Sequence, residues 1–351
     1  MRSLVWADLQ SHNYKEFSTT EDEMNSRLRD CIDTIGRISD SADQYKVDFI
    51  WFVGDLYQLK NNHDSQVIQA TTYALAKLAE KHSLLLVPGH HDYRMWTKDP
   101  IMMEILAEFS EGIRLCSKPG WISPPSAAIQ IYAEPCTRKV KELNARLQKV
   151  ELRKNAIFLA HQDIKGVKYR GYTVERGLDA DMLSEKFKWS FIGHWHKPKK
   201  IKKNVISIGA PLQHSFNDVG GKRGWWIFND DDGVGKVTFI ENTQSPQFWD
   251  IEIGDDGNVA NVPKNAVDFD NDFFRVKIFG DTPPKGLEQL RHKRVIYEVA
   301  QVSKVRGNLK FSDSNEALVD KYVKLRWQSN KKGAELALEQ KKLIEMGTGY
   351  L

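Results

Sequence analysis

Two histidines stand two positions apart in Gly193-His194-Trp195-His196, directly after the apolar run Trp189-Ser190-Phe191-Ile192. Asp8, Asp55, His90-His91-Asp92 and His161 also follow short apolar runs. Carboxylate oxygens and imidazole nitrogens together are ligands for divalent metals, and this many leave room for two ions. Asp8 offers a hard anionic oxygen. Gln10 offers only a neutral amide oxygen, and His12 stands close enough in sequence to substitute for it. Asp55 suits a carboxylate bridging two ions, which in hydrolytic sites lie roughly 3.5–4 Å apart. His90 and His91 are neighbours whose side chains point in different directions, so one can ligate while the other faces substrate. Asp92 could fix the tautomer of either ring by a hydrogen bond. His194 and His196 can face the two ions from one loop.

Such residues meet only if the fold gathers them, and a parallel sheet does this by bringing the ends of distant strands to one crevice. A buried strand is expected over 3–8. A helix is expected from residue 20 to about 42, with Met24, Leu28, Ile32, Ile35 and Ile38 on one face. A strand over 47–53, a helix over 67–79 and a strand over 83–87 follow. This alternation predicts a layered α/β domain whose strands are buried on both faces. Later strands are expected at 127–133, 156–160, 189–192, 204–208, 224–229 and 236–241, with a charged helix over 138–153. Several of these strands leave no room for helices between them, so antiparallel pairing is expected in the second half.

Composition changes near Asn242-Thr243-Gln244-Ser245-Pro246, and 254–263 is rich in turn formers. Strands are expected at 273–279 and 294–302, with a short helix at 287–292 between them. The division is a large domain over 1–245, a small α/β module over 246–312, and a helical segment over 313–351. That last segment carries Leu336, Leu338, Leu343 and Ile344 among charges, the composition of a helix that buries one side on a partner.

The 351 residues are 41% hydrophobic, enough for a large core. The net charge of +4 is too small to establish a nucleic-acid partner, so local patches matter more. Lysines cluster after His196, at 197, 199, 200, 202 and 203. Lys285, Arg291, Lys293, Arg294, Lys304, Arg306 and Lys310 add basic charge in the small module. Phosphate neutralisation is the function expected of a stripe containing Lys199, Lys200 and Lys202. Cys31, Cys116 and Cys136 form no metal or disulfide spacing, which fits a reducing compartment. No stretch of about 18 apolar residues occurs, so a membrane span is not expected.

The motifs resemble those of the calcineurin-like metallophosphoesterases. That family has Asp-x-His, Gly-Asp, Gly-Asn-His-Asp, a lone His and a final Gly-His-x-His. The matching residues are Asp8 with Gln10, Gly54-Asp55, Gly89-His90-His91-Asp92, His161 and Gly193-His194-Trp195-His196. The departures are Gln10 for a histidine and His90 for an asparagine. The resemblance implies a β-sandwich flanked by helices and two divalent ions, Mn²⁺ or Mg²⁺. Asp8, Gln10, Asp55 and His196 would hold the first, and Asp55, His90, His161 and His194 the second. His91 would be the non-ligand imidazole near the scissile phosphate. The small C-terminal module resembles the cap of the nuclease subunit in SbcCD-like double-strand-break repair complexes and in T-even phage recombination endonucleases. This implies a DNA nuclease, both double-strand exonuclease and single-strand endonuclease, in the cytoplasm of a bacterium or of a phage's host. It would act as a homodimer within a heterotetramer containing a coiled-coil ABC-type ATPase. Tyr57 stands where such nucleases have a histidine, and its hydroxyl could reach phosphate or its ring could pack. Other readings are a small-substrate phosphodiesterase and a DNA-binding scaffold weakened by Gln10.

Overall fold

The computed structural model describes residues 1–61, 63–93, 101–108, 110–123, 129–151, 153, 155–169, 172–253, 259–260, 271–279 and 295–300. The first half contains β1 (Arg2–Trp6), β2 (Thr20–Glu21), β3 (Met24–Asn25), α1 (Ser26–Tyr45), β4 (Phe49–Val53), α2 (Ser65–Ala79), β5 (Ser83–Val87), α3 (Ile101–Glu108), β6 (Ile113–Leu115), β7 (Gly120–Ile122), β8 (Gln130–Glu134) and α4 (Val140–Lys149). The second contains β9 (Ala156–His161), β10 (Lys168–Tyr169), β11 (Tyr172–Thr173), α5 (Ala180–Lys186), β12 (Trp189–Gly193), β13 (Lys199–Lys202), β14 (Val205–Ser207), β15 (Gly224–Asn229), β16 (Lys236–Glu241), β17 (Phe248–Ile253), β18 (Val259–Ala260), β19 (Phe273–Phe279) and β20 (Val295–Ala300).

Two six-stranded sheets form the body. The first runs β16-β15-β1-β4-β5-β6, and the second β13-β14-β12-β9-β8-β7. Four strands of each run parallel: β1, β4, β5 and β6 in one, β8, β9, β12 and β14 in the other. The flanking strands β15, β16, β13 and β7 join antiparallel, as expected for strands too close for helical crossovers.

The period-two geometry of a strand decides which layer each side chain enters. From β1, β4 and β5, Val5, Trp51, Val53, Leu85 and Val87 enter the layer between the sheets. There they meet Ile131, Ile157, Leu159, Phe191 and Ile206 of the second sheet. The alternate residues, Leu4, Trp6, Ile50, Phe52, Leu84 and Leu86, pack instead against Leu28, Ile35 and Ile38 of α1, Val67 and Leu75 of α2, and Met103 of α3. On the far side, Phe158 and Ile192 meet Leu143 and Leu147 of α4 and Leu183 of α5. The result is four layers, helix, sheet, sheet, helix, and it explains why the strands read as unbroken apolar runs.

Helix α1 starts later than periodicity suggests. Asn25 caps it by accepting from the Arg27 and Leu28 N–H groups, while 20–25 form the β2–β3 hairpin. The charged helix is also shorter than expected, at Val140–Lys149. A further sheet of order β18-β17-β19-β20 follows, with β17, β19 and β20 parallel. Strand β17 was not foreseen, although Asp250 and Glu252 alternate with its apolar residues. The cap's basic residues at 285, 291, 293, 294, 304, 306 and 310, the short helix at 287–292 and the segment 313–351 lie outside the described residues. Among the described residues, no helix is long and apolar enough to cross a membrane.

Phe191 is fully buried, with ring centroids 6.0 Å from Trp51 and 5.6 Å from Phe228 across the inter-sheet layer. We predict that Phe191→Ala lowers stability by about 3–5 kcal/mol, read from urea denaturation. A loss below about 1 kcal/mol would mean that this layer is not the tightly packed core described.

Candidate metal centre

Five of the parallel strands, drawn from both sheets, carry a candidate ligand at or just past their ends. Asp8 follows β1, Asp55 follows β4, His90 follows β5, His161 closes β9, and His194 and His196 follow β12. Asp55, His90, His161 and His194 each bring one ligand atom to within 4.8 Å of all the others. Among the described residues this is the one group of three or more His, Cys, Asp or Glu that converges so closely. His90 Nδ1 lies 3.0 Å and His161 Nε2 3.2 Å from Asp55 Oδ2, and the two nitrogens are 3.4 Å apart.

His161 is held for ligation. Its Nδ1 sits 2.8 Å from the Val53 carbonyl, which can only accept, so Nδ1 carries a proton and Nε2 is the nitrogen turned to the carboxylates. Asp8 Oδ2 accepts from the His194 backbone N–H at 3.0 Å, and Oδ1 lies 3.8 Å from His161 Nε2. Asp8 Oδ1 and Asp55 Oδ2 are both buried, and neither makes a hydrogen bond of good geometry. Buried carboxylate oxygens left open among imidazole nitrogens fit a divalent cation. The electrostatics agree. Burial opposes charge on His161, yet Asp55 and Asp8 outweigh it and push the ring up to about 10. Burial likewise opposes charge on Asp55, but His161 and His90 hold its carboxyl well below the usual range. The site attracts positive charge strongly.

Glycines make the convergence possible. A Cβ on Gly54 would fall 2.3 Å from the His161 ring, and one on Gly89 would fall 2.2 Å from Asp55 Oδ1. The Gly-Asp and Gly-His-His-Asp motifs therefore keep glycine where backbone must pass a ligand. Four candidate ligands adopt positive φ: Asp8 at 57°, Gln10 at 47°, Asp55 at 59° and His194 at 112°. Positive φ in a non-glycine residue is uncommon and gathers at functional sites.

His91 lies beside the cluster and outside it. Its backbone N–H donates to Asp55 Oδ1 at 2.8 Å, and its Nδ1 faces the Gln58 carbonyl. Asp92 has a different place from the tautomer-fixing one considered above. Its carboxylate accepts from the backbone N–H groups of Asp55, Leu56 and Gly89 at 2.7–2.9 Å. It therefore pins the two loops that carry Asp55 and His90. Burial and the nearby Asp55 push Asp92 up to about 7.

The other half of the expected ligand set is organised around His196. His196 Nδ1 lies 3.1 Å from Asp218 Oδ1, an arrangement that directs Nε2 away from the carboxylate. Asp218 also meets Arg223 at 3.1 Å and accepts from the His214 N–H at 2.9 Å. His214 Nε2 donates to the Asp8 carbonyl at 3.0 Å. Gln10 and His196 line a cleft of about 420 Å³ with His12, Tyr14, Lys15, Gln58 and His214. His214, Asp218 and Asp163, whose Oδ1 lies 3.2 Å from His194 Nε2, were missed in the sequence. His214 did carry a signal, since Ile206-Ser207-Ile208-Gly209 before it is another apolar run closing in glycine.

One substrate assignment changes. Tyr57 is 1% exposed and packs in the helix-side core, so the packing alternative describes it and its hydroxyl does not meet solvent-borne phosphate. Lys199, Lys200 and Lys202 lie on β13, the edge of the second sheet, where Lys202 Nζ is 2.5 Å from Asp181 Oδ1 in a surface pair. Lys199 and Lys200 are exposed there. Trp195 is half-buried, its ring 5.4 Å from that of His194.

The family model for calcineurin-like phosphoesterases matches residues 1–198. A protein of Invertebrate iridescent virus 3 named as a phosphoesterase is 23% identical over 194 residues, 52% of each chain. The chain thus spans about half the length of that curated relative. A crystal structure from Thermus thermophilus aligns over 68% of this chain and 98% of its own, at 10% identity and a TM-score of 0.42. A dimetal phosphatase from Danio rerio aligns over 65% and 92%, at 9% identity and 0.42. YfkN, a calcineurin-like phosphoesterase of Bacillus subtilis, aligns over 68% and 88%, at 11% identity and 0.37.

Gly89→Ala tests the close approach. The added methyl must displace the Asp55 carboxylate, so metal affinity is expected to fall by about tenfold or more while circular dichroism stays unchanged. Unaltered metal content by elemental analysis would show that the loops have slack not evident in their spacing.

Proposed function

The chain belongs to the calcineurin-like phosphoesterase family, and from that premise we propose that it is a two-metal phosphodiesterase acting on DNA. The observation that carries the reading is the convergence of Asp55, His90, His161 and His194 within 4.8 Å, with Asp8 Oδ1 open beside them. Those four residues would hold one cation, proposed as Mn²⁺, and Asp8, Gln10, Asp55 and His196 a second. Bound there, such cations supply positive charge and Lewis acidity to a phosphoryl group.

The chain's own residues complete the chemistry. With Nδ1 turned to the Gln58 carbonyl, His91 keeps Nε2 as the ring atom able to meet a phosphoester oxygen, 4.0 Å from Asp55 Oδ2. Its proposed role is to give a proton or hydrogen bond to the leaving oxygen as charge develops there. Asp92 keeps the Asp55 and His90 loops in register, and Asp218 orients His196. Lys199 and Lys200, on the strand that leaves His196, support a polymeric phosphate backbone as substrate. The reading extends to a repair or recombination nuclease with exonuclease and endonuclease activities. Residues 313–351 would dock on the coiled-coil root of an ABC-type ATPase, with two chains of each, and sequence pattern alone supports that part.

A second reading rests on the cleft beside Gln10 and His196. Its volume of about 420 Å³ falls among small-molecule pockets of roughly 300–1,000 Å³. Purified protein with Mn²⁺, and with a chelator, should therefore be offered linear duplex, hairpin and circular single-stranded DNA beside cyclic nucleotides and a chromogenic diester. Metal-dependent cleavage of DNA is expected. Hydrolysis of the small diesters alone would put the second reading first.

Two variants sharpen the assignment. His91→Ala should keep its metal and lower turnover about 10²-fold, and loss of metal by elemental analysis would make His91 a ligand. The double variant Lys199→Gln/Lys200→Gln should weaken binding to every DNA sequence and reduce the salt slope by about two. An unchanged slope in fluorescence anisotropy titrations would leave β13 as a solvated edge.

A further inference from the structure

Arg27 lies in the first turn of α1, yet only 3% of it is exposed. A buried guanidinium is costly unless its donors are matched. Its nearest carboxylate atom, Asp30 Oδ2, is 4.0 Å away. The matching comes from backbone and rings. Nη1 donates to the Glu16 carbonyl at 3.2 Å, and Nη2 to the His214 carbonyl at 3.0 Å. The guanidinium carbon lies 4.9 Å from the Tyr14 ring, 5.0 Å from Phe248 and 4.7 Å from Phe273, within cation–π range of all three.

Each of these partners leads somewhere. His214 holds the Asp8 carbonyl through Nε2 and the Asp218 carboxylate through its N–H, and Asp218 holds His196. Tyr14 donates its hydroxyl to the Gln10 carbonyl at 2.9 Å. Asp8, Gln10 and His196 are thus each reached from Arg27 through one or two intermediaries, and none of these contacts involves His90, His161 or His194. Phe248 and Phe273 belong to β17 and β19 of the C-terminal sheet. That sheet grips the same loop directly as well: the Phe248 ring lies 5.0 Å from Phe216, and the Arg275 guanidinium 4.5 Å over it. Phe216 is two residues before Asp218, in the single 3-10 turn Phe216–Asp218.

We propose that Arg27 is a positioning residue for the Asp8–Gln10–His196 half of the metal centre, and that the C-terminal sheet holds it in place. The proposal rests on the two-ion reading above. Gln10 brings a neutral oxygen where a charged or imidazole ligand would bind more strongly, so this half depends on geometry that its ligands do not themselves enforce. Arg27 supplies it by holding the His214 carbonyl and the Tyr14 ring, the two residues whose imidazole, N–H and hydroxyl lead on to Asp8, to Asp218 with His196, and to Gln10. The fork geometry matters because one cation must reach two carbonyls at once, which a lysine ammonium on a narrower stem does not do.

The test counts ions in the full-length chain. Mn²⁺ binding to the unaltered protein, Arg27→Lys, Arg27→Met and His196→Ala is measured by calorimetric titration, with paramagnetic resonance to detect a coupled ion pair and thermal melting to confirm folding. His196→Ala identifies which binding step belongs to this half. Arg27→Lys keeps the charge among the rings and serves if Arg27→Met does not fold. In Arg27→Lys that step should weaken by about tenfold or more, the coupled signal should disappear, and the other step should change less than about threefold. Two unchanged steps in a folded Arg27→Lys would overturn this proposal alone. Equal weakening of both steps would also overturn it, since Arg27 would then act on the fold as a whole. A single ion in the unaltered protein would overturn the two-ion reading and this proposal together.

Discussion

Asp55 has no exposed surface, and a buried carboxylate must find partners for every polar atom or give up its charge. Its backbone N–H goes to Asp92, its carbonyl to the Gln10 N–H, and its Oδ1 to the His91 N–H. Oδ2 alone is kept for His90, His161 and a cation. These four attachments bring the β1, β4 and β5 loops together, and His161 brings in the second sheet. Gly54, Gly89 and Gly193 follow from the same constraint. A Cβ on Gly193 would fall 2.2 Å from the Val53 carbonyl that fixes His161. The motifs are therefore statements about backbone clearance as much as about ligands.

Such crowding bends the chain away from relaxed geometry. Non-glycine residues in sparsely populated backbone regions cost on the order of 1–3 kcal/mol each, and four lie within this site. The strands leading to them are held by apolar contacts on both faces, so the frame opposes relaxation at their ends. The tension sits at the loop residues because Leu4 to Trp6 and Ile50 to Val53 are buried and have nowhere to move.

Much of this was legible in the sequence because burial on both faces leaves a plain mark. The runs before Asp8, Asp55, His90, His161 and His194 read as strands, and their ends carried the ligands. Short elements were less legible: β6 and β7 have three residues each, too few to show a period. Strand β17 carries a period-two alternation, Trp249-Asp250-Ile251-Glu252-Ile253, but it lies between the polar stretches 242–246 and 254–263 and was passed over with them. Residues that orient ligands were the hardest to find. Asp218 and Asp163 act through contacts 22 and 31 positions away in the chain, with His196 and His194, and no local spacing announces that. Asp92 was noticed, but its type suggested an imidazole partner, whereas the tight loops offered it three backbone donors. Tyr57 was read both ways for a similar reason, since an aromatic after a glycine turn looks the same whether it closes a core or lines a cleft.

The candidate ligands are divided between the two sheets. Asp8, Asp55 and His90 leave the first, and His161, His194 and His196 leave the second. A cation held between them fastens together two layers that otherwise meet through hydrocarbon and aromatic side chains. By mass action, a ligand that binds only the folded chain stabilises it by about 2.7 kcal/mol when its free concentration is a hundred times its dissociation constant. The durability of this sandwich is then partly a property of its surroundings. Trace metal in the medium becomes a thermodynamic variable of the fold, and the melting temperature becomes a gauge of free ion.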